Sequence, residues 1–239
     1  MSAEAKPSIV FAHGIWADGS SFSKVIPILQ AEGYEVIASQ YGLDSFEADV
    51  ATTIKTLGRV SSPTILVGHS YGGSVITAAG TDDRVVGLVY ISALAPDSGE
   101  TSQTQLANFP QSDIFSFVEP ADGRLWLAPD GVECFAGDLS AQEKAVIWAT
   151  HFAPAADLFD GQIDDPAWKP KPSWYIVAKN DRTVQPDLER FFAERLGATT
   201  YEAESSHVVM LSKPEFVVNV IRDAVKAVQA SPAFAGARS

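Results

Sequence analysis

Four stretches of this chain are almost purely apolar: SIVFA (8–12), TILVG (64–68), VVGLVYIS (85–92) and SWYIVA (173–178). A strand with one face in water alternates apolar and polar residues, and these do not. Near-continuous hydrophobicity suits parallel strands covered on both faces. YEVIAS (34–39) and TTYEA (199–203) read as two more strands. Helical periodicity fills the gaps. Residues 20–32 present Phe22, Val25, Ile26 and Leu29 on one face, and residues 46–57 present Phe46, Val50, Ile54 and Leu57. Pro186 opens a helix showing Leu188, Phe191 and Phe192, and Gly197 closes it. Ser212 and Glu215 read as a capping box ahead of Val217, Val220, Ile221, Ala224 and Val228. The alternation predicts an α/β fold, a mainly parallel open sheet flanked by helices with right-handed crossovers. The ends, 1–7 and 230–239, are expected to fray.

Residues 97–172 break the pattern. They hold no convincing strand, seven of the fourteen prolines and three of the five tryptophans. Ser140 and Glu143 read as a capping box for a helix over 140–152. The expected organisation is a core domain of 1–96 and 173–239 with a mostly helical cap inserted at 97–172. Nine large aromatics of the insertion, among them Phe115, Trp126, Phe135, Trp148 and Phe159, exceed what a connecting loop needs. Most are expected to pack the insertion onto the core and a few to line a pocket.

A net charge of -13 argues against nucleic acid as a partner. Most of the excess lies in 97–172, with 13 acidic and 4 basic residues, which reads first as a solvated acidic surface and second as a field that disfavours anionic substrates. No run approaches the roughly 18 apolar residues of a membrane helix, so no membrane partner is expected. The N-terminus lacks the apolar core of a signal peptide, and a lone Cys134 fits a reducing compartment; a cytoplasmic location follows as an expectation. A secreted chain whose leader has been removed would read the same way.

Chemistry concentrates in Gly68-His69-Ser70-Tyr71-Gly72-Gly73, at the carboxyl end of the third expected strand, TILVG. G-x-S-x-G between a strand and a helix is the elbow that exposes a serine hydroxyl. Gly68 and Gly72 flank a turn too tight for side chains, and Gly73 lets the next helix pack closely. A serine needs a base, and the base an orienting acid. Of the four histidines, His207 alone follows the last strand and reaches the rim that carries Ser70. His69 points away from the serine, His13 belongs to another turn, and His151 lies in the insertion as a surface or packing residue. Asp181, at the end of the fifth core strand, is the favoured acid, with Asp97 its main rival and Asp187 a weaker one. The backbone N–H groups of Ile15 and Tyr71 are the expected donors to a developing oxyanion. Gly14 and Trp16 in the first turn, with Trp126 and Trp148 in the insertion, are the candidates for substrate contact.

Taken in order, His13-Gly14, the Ser70 elbow, Asp181 and His207 resemble the α/β-hydrolase superfamily over nearly the whole chain. The style is that of the branch with plant methylesterases, hydroxynitrile lyases and small-molecule esterases. The resemblance implies a parallel sheet without the superfamily's first two strands, a helical cap, a Ser70–His207–Asp181 triad, and no metal or organic cofactor. It implies a small-molecule ester as substrate, cleaved through an acyl-serine. Hydroxynitrile lyases of that branch usually carry threonine or asparagine at the place of Gly14, and one group has lysine at the place of Val208. Both departures favour ester hydrolysis. A slow-turnover ligand receptor, a lactonase, an amidase and a cofactor-free perhydrolase suit the same residues. Oligomeric state is not legible.

Overall fold

The computed structural model describes residues 6–60 and 63–231. The expectation of frayed ends falls mostly outside them, on 1–5 and 232–239. The core is a six-stranded sheet of β1 (Ser8–Ala12), β2 (Val36–Ala38), β3 (Thr64–His69), β4 (Val85–Ile91), β7 (Ser173–Ala178) and β8 (Thr199–Ala203). The order is β2-β1-β3-β4-β7-β8 and every pairing is parallel. Burial explains the composition of the strands. Every residue of β1, β3 and β7 is buried, whereas β2 and most of β8, at the edges, are not. Continuous apolar runs mark the centre because only there are both faces covered. Each fully buried Ile, Leu or Val contributes about 1.5–3 kcal/mol.

Helices α1 (Ile26–Ala31), α2 (Phe46–Leu57) and α3 (Gly72–Ala79) connect the first four strands. The helix expected over 20–32 divides into a 3-10 turn at Gly19–Phe22, capped by Asp18, and α1, with Pro27 in its first turn. Helix α2 has the expected bounds but turns a different face inward. Phe46, Asp49, Thr53 and Leu57 are buried, while Val50 is only partly buried and Ile54 is exposed. The cause is polar pairing: Asp49 accepts from Tyr71 and Leu43, and Thr53 donates to the Asp49 carbonyl.

Between β4 and β7 come α4 (Ser102–Leu106), a hairpin of β5 (Val118–Ala121) and β6 (Arg124–Leu127), α5 (Val132–Ala136) and α6 (Ala141–Thr150). The hairpin corrects the expectation that this segment lacks strands. Its signal was Asp122-Gly123, whose φ values of 51° and 74° make the tight turn that a two-residue hairpin needs. The Ser140–Glu143 capping box forms as expected.

The last described helices are α7 (Pro186–Arg195), α8 (Val209–Ser212) and α9 (Pro214–Gln229). Along α7, Leu188 and Phe192 are buried, whereas Phe191 is exposed. The expected Ser212–Glu215 box is absent. Ser212 belongs to the last turn of α8 and bonds Ser205 Oγ, and α9 starts at Pro214 with no side-chain cap. Proline at the first helical position needs no N–H acceptor, so this start costs little.

Candidate active site

Three non-glycine residues with left-handed backbone stand at the ends of neighbouring strands: Trp16 after β1 (φ 53°), Ser70 after β3 (φ 57°) and Ser92 after β4 (φ 45°). Each such residue costs on the order of 1–3 kcal/mol and persists only where its surroundings enforce it. The clamp on Ser70 is explicit. Its N–H donates to the Ile91 carbonyl at 3.2 Å, and its carbonyl accepts from Gly73 at 2.9 Å and Leu94 at 3.1 Å. A methyl group on Gly68 would lie 2.5 Å from the Gly72 carbonyl oxygen, and one on Gly73 would lie 2.2 Å from that of Leu94. The turn therefore admits only hydrogen at these positions.

Asp181 and His207, 26 positions apart in the chain, meet in a buried pair with Nδ1 to Oδ2 at 2.5 Å. The other Asp181 oxygen accepts from the N–H groups of Thr183 at 2.6 Å and Val184 at 2.9 Å. These donors hold one carboxylate oxygen and turn the other toward the imidazole. With Nδ1 so engaged, His207 Nε2 is buried and has no hydrogen-bond partner among the described residues. The rivals lie elsewhere. Asp97 pairs with Lys169 at 2.5 Å, and the largely exposed Asp187 pairs with Arg190 at 2.9 Å.

His69 joins the two halves of the site. Its Nε2 donates to the His207 carbonyl at 3.0 Å, and the two rings lie 4.6 Å apart. Burial, aided by the neighbouring His207, holds His69 well below the usual imidazole range and keeps it neutral. Sequence reasoning gave His69 no part. Its signal was a histidine adjoining a serine whose own side chain must point the other way.

The first turn abuts the serine. A methyl on Gly14 would lie 2.6 Å from Ser70 Cβ and 3.2 Å from Oγ. The Ile15 and Tyr71 N–H groups bond no backbone carbonyl among the described loop and cap contacts. Tyr71 anchors its elbow by donating to Asp49 Oδ2 at 3.0 Å, and Tyr41 donates to the His13 carbonyl at 2.5 Å. Asp49, 1% exposed, is pushed up to about 6, mainly by burial. Asp138 of the insertion accepts from Ser206 N at 3.0 Å and Ser206 Oγ at 2.5 Å, tethering the loop that carries His207. Phe135 covers the His207 ring at 5.2 Å.

A cavity of about 320 Å³ opens on Ser70. Ile15, Trp16, Leu94, Leu106, Phe115 and Phe159 supply much of its apolar wall, and Ser70, Gln103, Gln111 and Thr183 are polar groups there. Among the described residues no charged side chain lines it. Trp16 belongs to this wall, with its indole N–H donating to the Leu125 carbonyl at 2.8 Å. Three other expected contacts do not: Gly14 sits behind the wall against Ser70, and the two tryptophans of the insertion lie elsewhere. Trp126 packs edge-on against His151, and Trp148, 38% exposed, stacks on the same ring and faces a separate outer groove. Helix α6 buries none of its residues, so Trp148 is carried outward. His151 caps that helix between the two tryptophans.

Known proteins align with this architecture. The family model described as the alpha/beta hydrolase family matches residues 9–220. A carbendazim hydrolyzing esterase of Nocardioides sp. is 31% identical, over 80% of this chain and 98% of its own. Methylesterase 8 of Arabidopsis thaliana is 23% identical, over 89% and 87%. A crystal structure of a pyrethroid hydrolase from Sphingobium faniae superimposes with a TM-score of 0.78 at 22% identity, over 92% of this chain and 98% of that one. The resemblance read from the elbow, Asp181 and His207 thus extends through the fold: the chain belongs to the alpha/beta hydrolase family.

Proposed function

We propose that this hydrolase cleaves small to medium, uncharged carboxylic esters through an acyl-serine intermediate on Ser70. The observation that carries the reading is His207: Nδ1 is held by Asp181 at 2.5 Å, Nε2 is left buried and without a partner among the described residues, and its carbonyl is bonded by His69, the residue before the strained Ser70. Such a ring is oriented to take a proton at Nε2. Ser70 Oγ attacks the acyl carbon as His207 accepts its proton. The Ile15 and Tyr71 amides donate to the oxyanion, one on each side of the Gly14–Ser70 contact. His207 then protonates the departing alcohol, and water repeats the sequence to release the acid. Asp181 keeps the tautomer and supports the imidazolium.

The uncharged cavity supports a neutral substrate, since an unpaired charge buried there would lose its hydration. Segment 97–172 acts as the cap that shapes this cavity, on a core of 1–96 and 173–239. The esterase names carried by two of the aligned relatives support ester cleavage. Among the described residues no helix is long and apolar enough to cross a membrane, which is compatible with the cytoplasmic site of action proposed here.

The test is hydrolysis of p-nitrophenyl butyrate with a fluorophosphonate label. Turnover and labelling of the wild type, both lost in Ser70→Ala, are expected. A folded protein that binds esters tightly without turning them over would replace this reading with that of a receptor.

A further inference from the structure

Helix α7 buries a carboxyl group that the chemistry above does not use. Glu189 is 0% exposed in the first turns of a helix whose neighbouring acid, Asp187, faces solvent. Its Oε2 accepts the Ala178 N–H at 2.8 Å, at the end of β7. Ala178 in turn accepts from Asp181 N at 3.2 Å, so Glu189 sits beneath the turn that presents Asp181 to His207. The Asp181 carboxylate comes near enough to Glu189 that its charge opposes ionisation of the glutamate. The second oxygen of Glu189, Oε1, meets no N–H or O–H donor among the described residues.

Two neighbouring ionised carboxylates offer four acceptors and no proton between them. Asp181 cannot supply the proton, because Thr183, Val184 and His207 already converge on it as donors. Other groups near Glu189 do not relieve the conflict. Tyr175, on β7, donates its hydroxyl to the Ala93 carbonyl at 2.5 Å. Arg190, next in the helix, is turned outward and bonds Asp187 and Glu202. A buried anion without a cation beside another anion is strongly disfavoured, and protonation removes the conflict. Burial first, then the Asp181 charge, pushes Glu189 well above the usual carboxylate range.

We propose that Glu189 is a positioning residue that keeps its proton at neutral pH and donates a hydrogen bond to Asp181, fixing the carboxylate that orients His207. The neutral acid bridges β7 and the Asp181 turn, accepting from one and donating to the other. This inference rests on Asp181 being the acid of the triad; the protonation of Glu189 does not, and it is measurable without any substrate.

Two variants separate the elements. Glu189→Gln keeps an acceptor for Ala178 and an N–H donor for Asp181. Glu189→Leu keeps the bulk and loses both. Infrared difference spectra of wild type against Glu189→Gln at pH 7 should show a neutral carboxylic acid carbonyl band in the wild type alone, shifted in heavy water. In p-nitrophenyl butyrate hydrolysis, Glu189→Gln should hold kcat within about threefold, while Glu189→Leu loses about 10- to 100-fold in kcat with little change in KM. An ionised carboxylate band in place of the neutral one overturns the proposal. So does a Glu189→Gln loss equal to that of Glu189→Leu, or a folded Glu189→Leu enzyme with wild-type kcat. If the wild type shows the neutral band but hydrolyses no ester, the protonation stands and the esterase reading fails.

Discussion

The His69 ring donates its Nε2–H to the backbone carbonyl of His207 across 3.0 Å, tying the residue before Ser70, the proposed nucleophile, to its proposed base. The carbonyl can only accept, so the bond fixes the His69 tautomer. Burial disfavours a charge on His69, and Nε2–H donates to the carbonyl in either protonation state. His69→Phe should retain the ring packing and lose the donor. The expected outcome is a kcat lower by about 10-fold with KM little changed. Steady-state kinetics on p-nitrophenyl butyrate decide it, and an unaltered kcat would reduce His69 to packing.

The two candidate acids separate cleanly. Asp181 touches His207, and Asp97 is paired with Lys169 near the surface. Asp181→Asn should lower kcat by about 10³- to 10⁴-fold. Asp97→Asn should leave it unchanged and alter stability by less than about 1 kcal/mol, as exposed ion pairs do. Ser70→Ala and His207→Ala should each cost about 10⁴-fold or more, because the members act as one unit. A crippled Asp97→Asn beside an active Asp181→Asn would reassign the acid.

Gly14 is held to hydrogen by the serine it abuts. The methyl of Gly14→Ala would lie 2.6 Å from Ser70 Cβ, so either the elbow or the first turn must shift. Displacing one oxyanion donor costs on the order of 100- to 1000-fold in rate. The variant should therefore fold, as judged by circular dichroism, and lose at least about 100-fold in kcat/KM. Wild-type turnover would show that the Ile15 amide is not a donor.

Asp49 gives the fold a pH signature. Its carboxyl titrates near about 6 when folded, mainly through burial, against about 3.9 in an unfolded chain. Between those values the folded protein binds more protons, so this group makes stability fall as pH rises through the window. Asp49→Asn removes the dependence. Relative to wild type it should gain on the order of 2 kcal/mol in going from about pH 4 to above pH 6.5. Urea unfolding at several pH values measures the difference between the two proteins, and a difference flat with pH would show that Asp49 titrates in the folded protein as it does unfolded.

Selectivity should follow the uncharged cavity. Of two esters matched in size, a neutral butyrate ester should be hydrolysed at least about 100-fold more efficiently, in kcat/KM, than one with a free carboxylate on the acyl chain. Comparable efficiencies would mean that the acyl group occupies another part of the molecule, such as the outer groove beside Lys144 and Arg182.

The amino-acid sequence by itself determined whatever depends on neighbours along the chain. Residues 8–12, 173–178 and 199–203 form strands with the bounds their composition implies, and Phe46–Leu57 is helical as its periodicity requires. The elbow was legible because a left-handed serine between glycines needs only local sterics. Asp181 and His207 were legible because each follows a strand at the rim where Ser70 stands. Tertiary structure alone decided which side chains share that rim. Helix α2 rotates to bury Asp49 because Tyr71, far along the chain, needs an acceptor. Phe115 and Phe159 face the cavity while Trp126 and Trp148 do not, since the hairpin and α6 dock with those rings outward. His69, Asp138 and Glu189 gained their partners the same way. A side chain's composition states what it can bond, but burial and the approach of distant segments determine what it does bond.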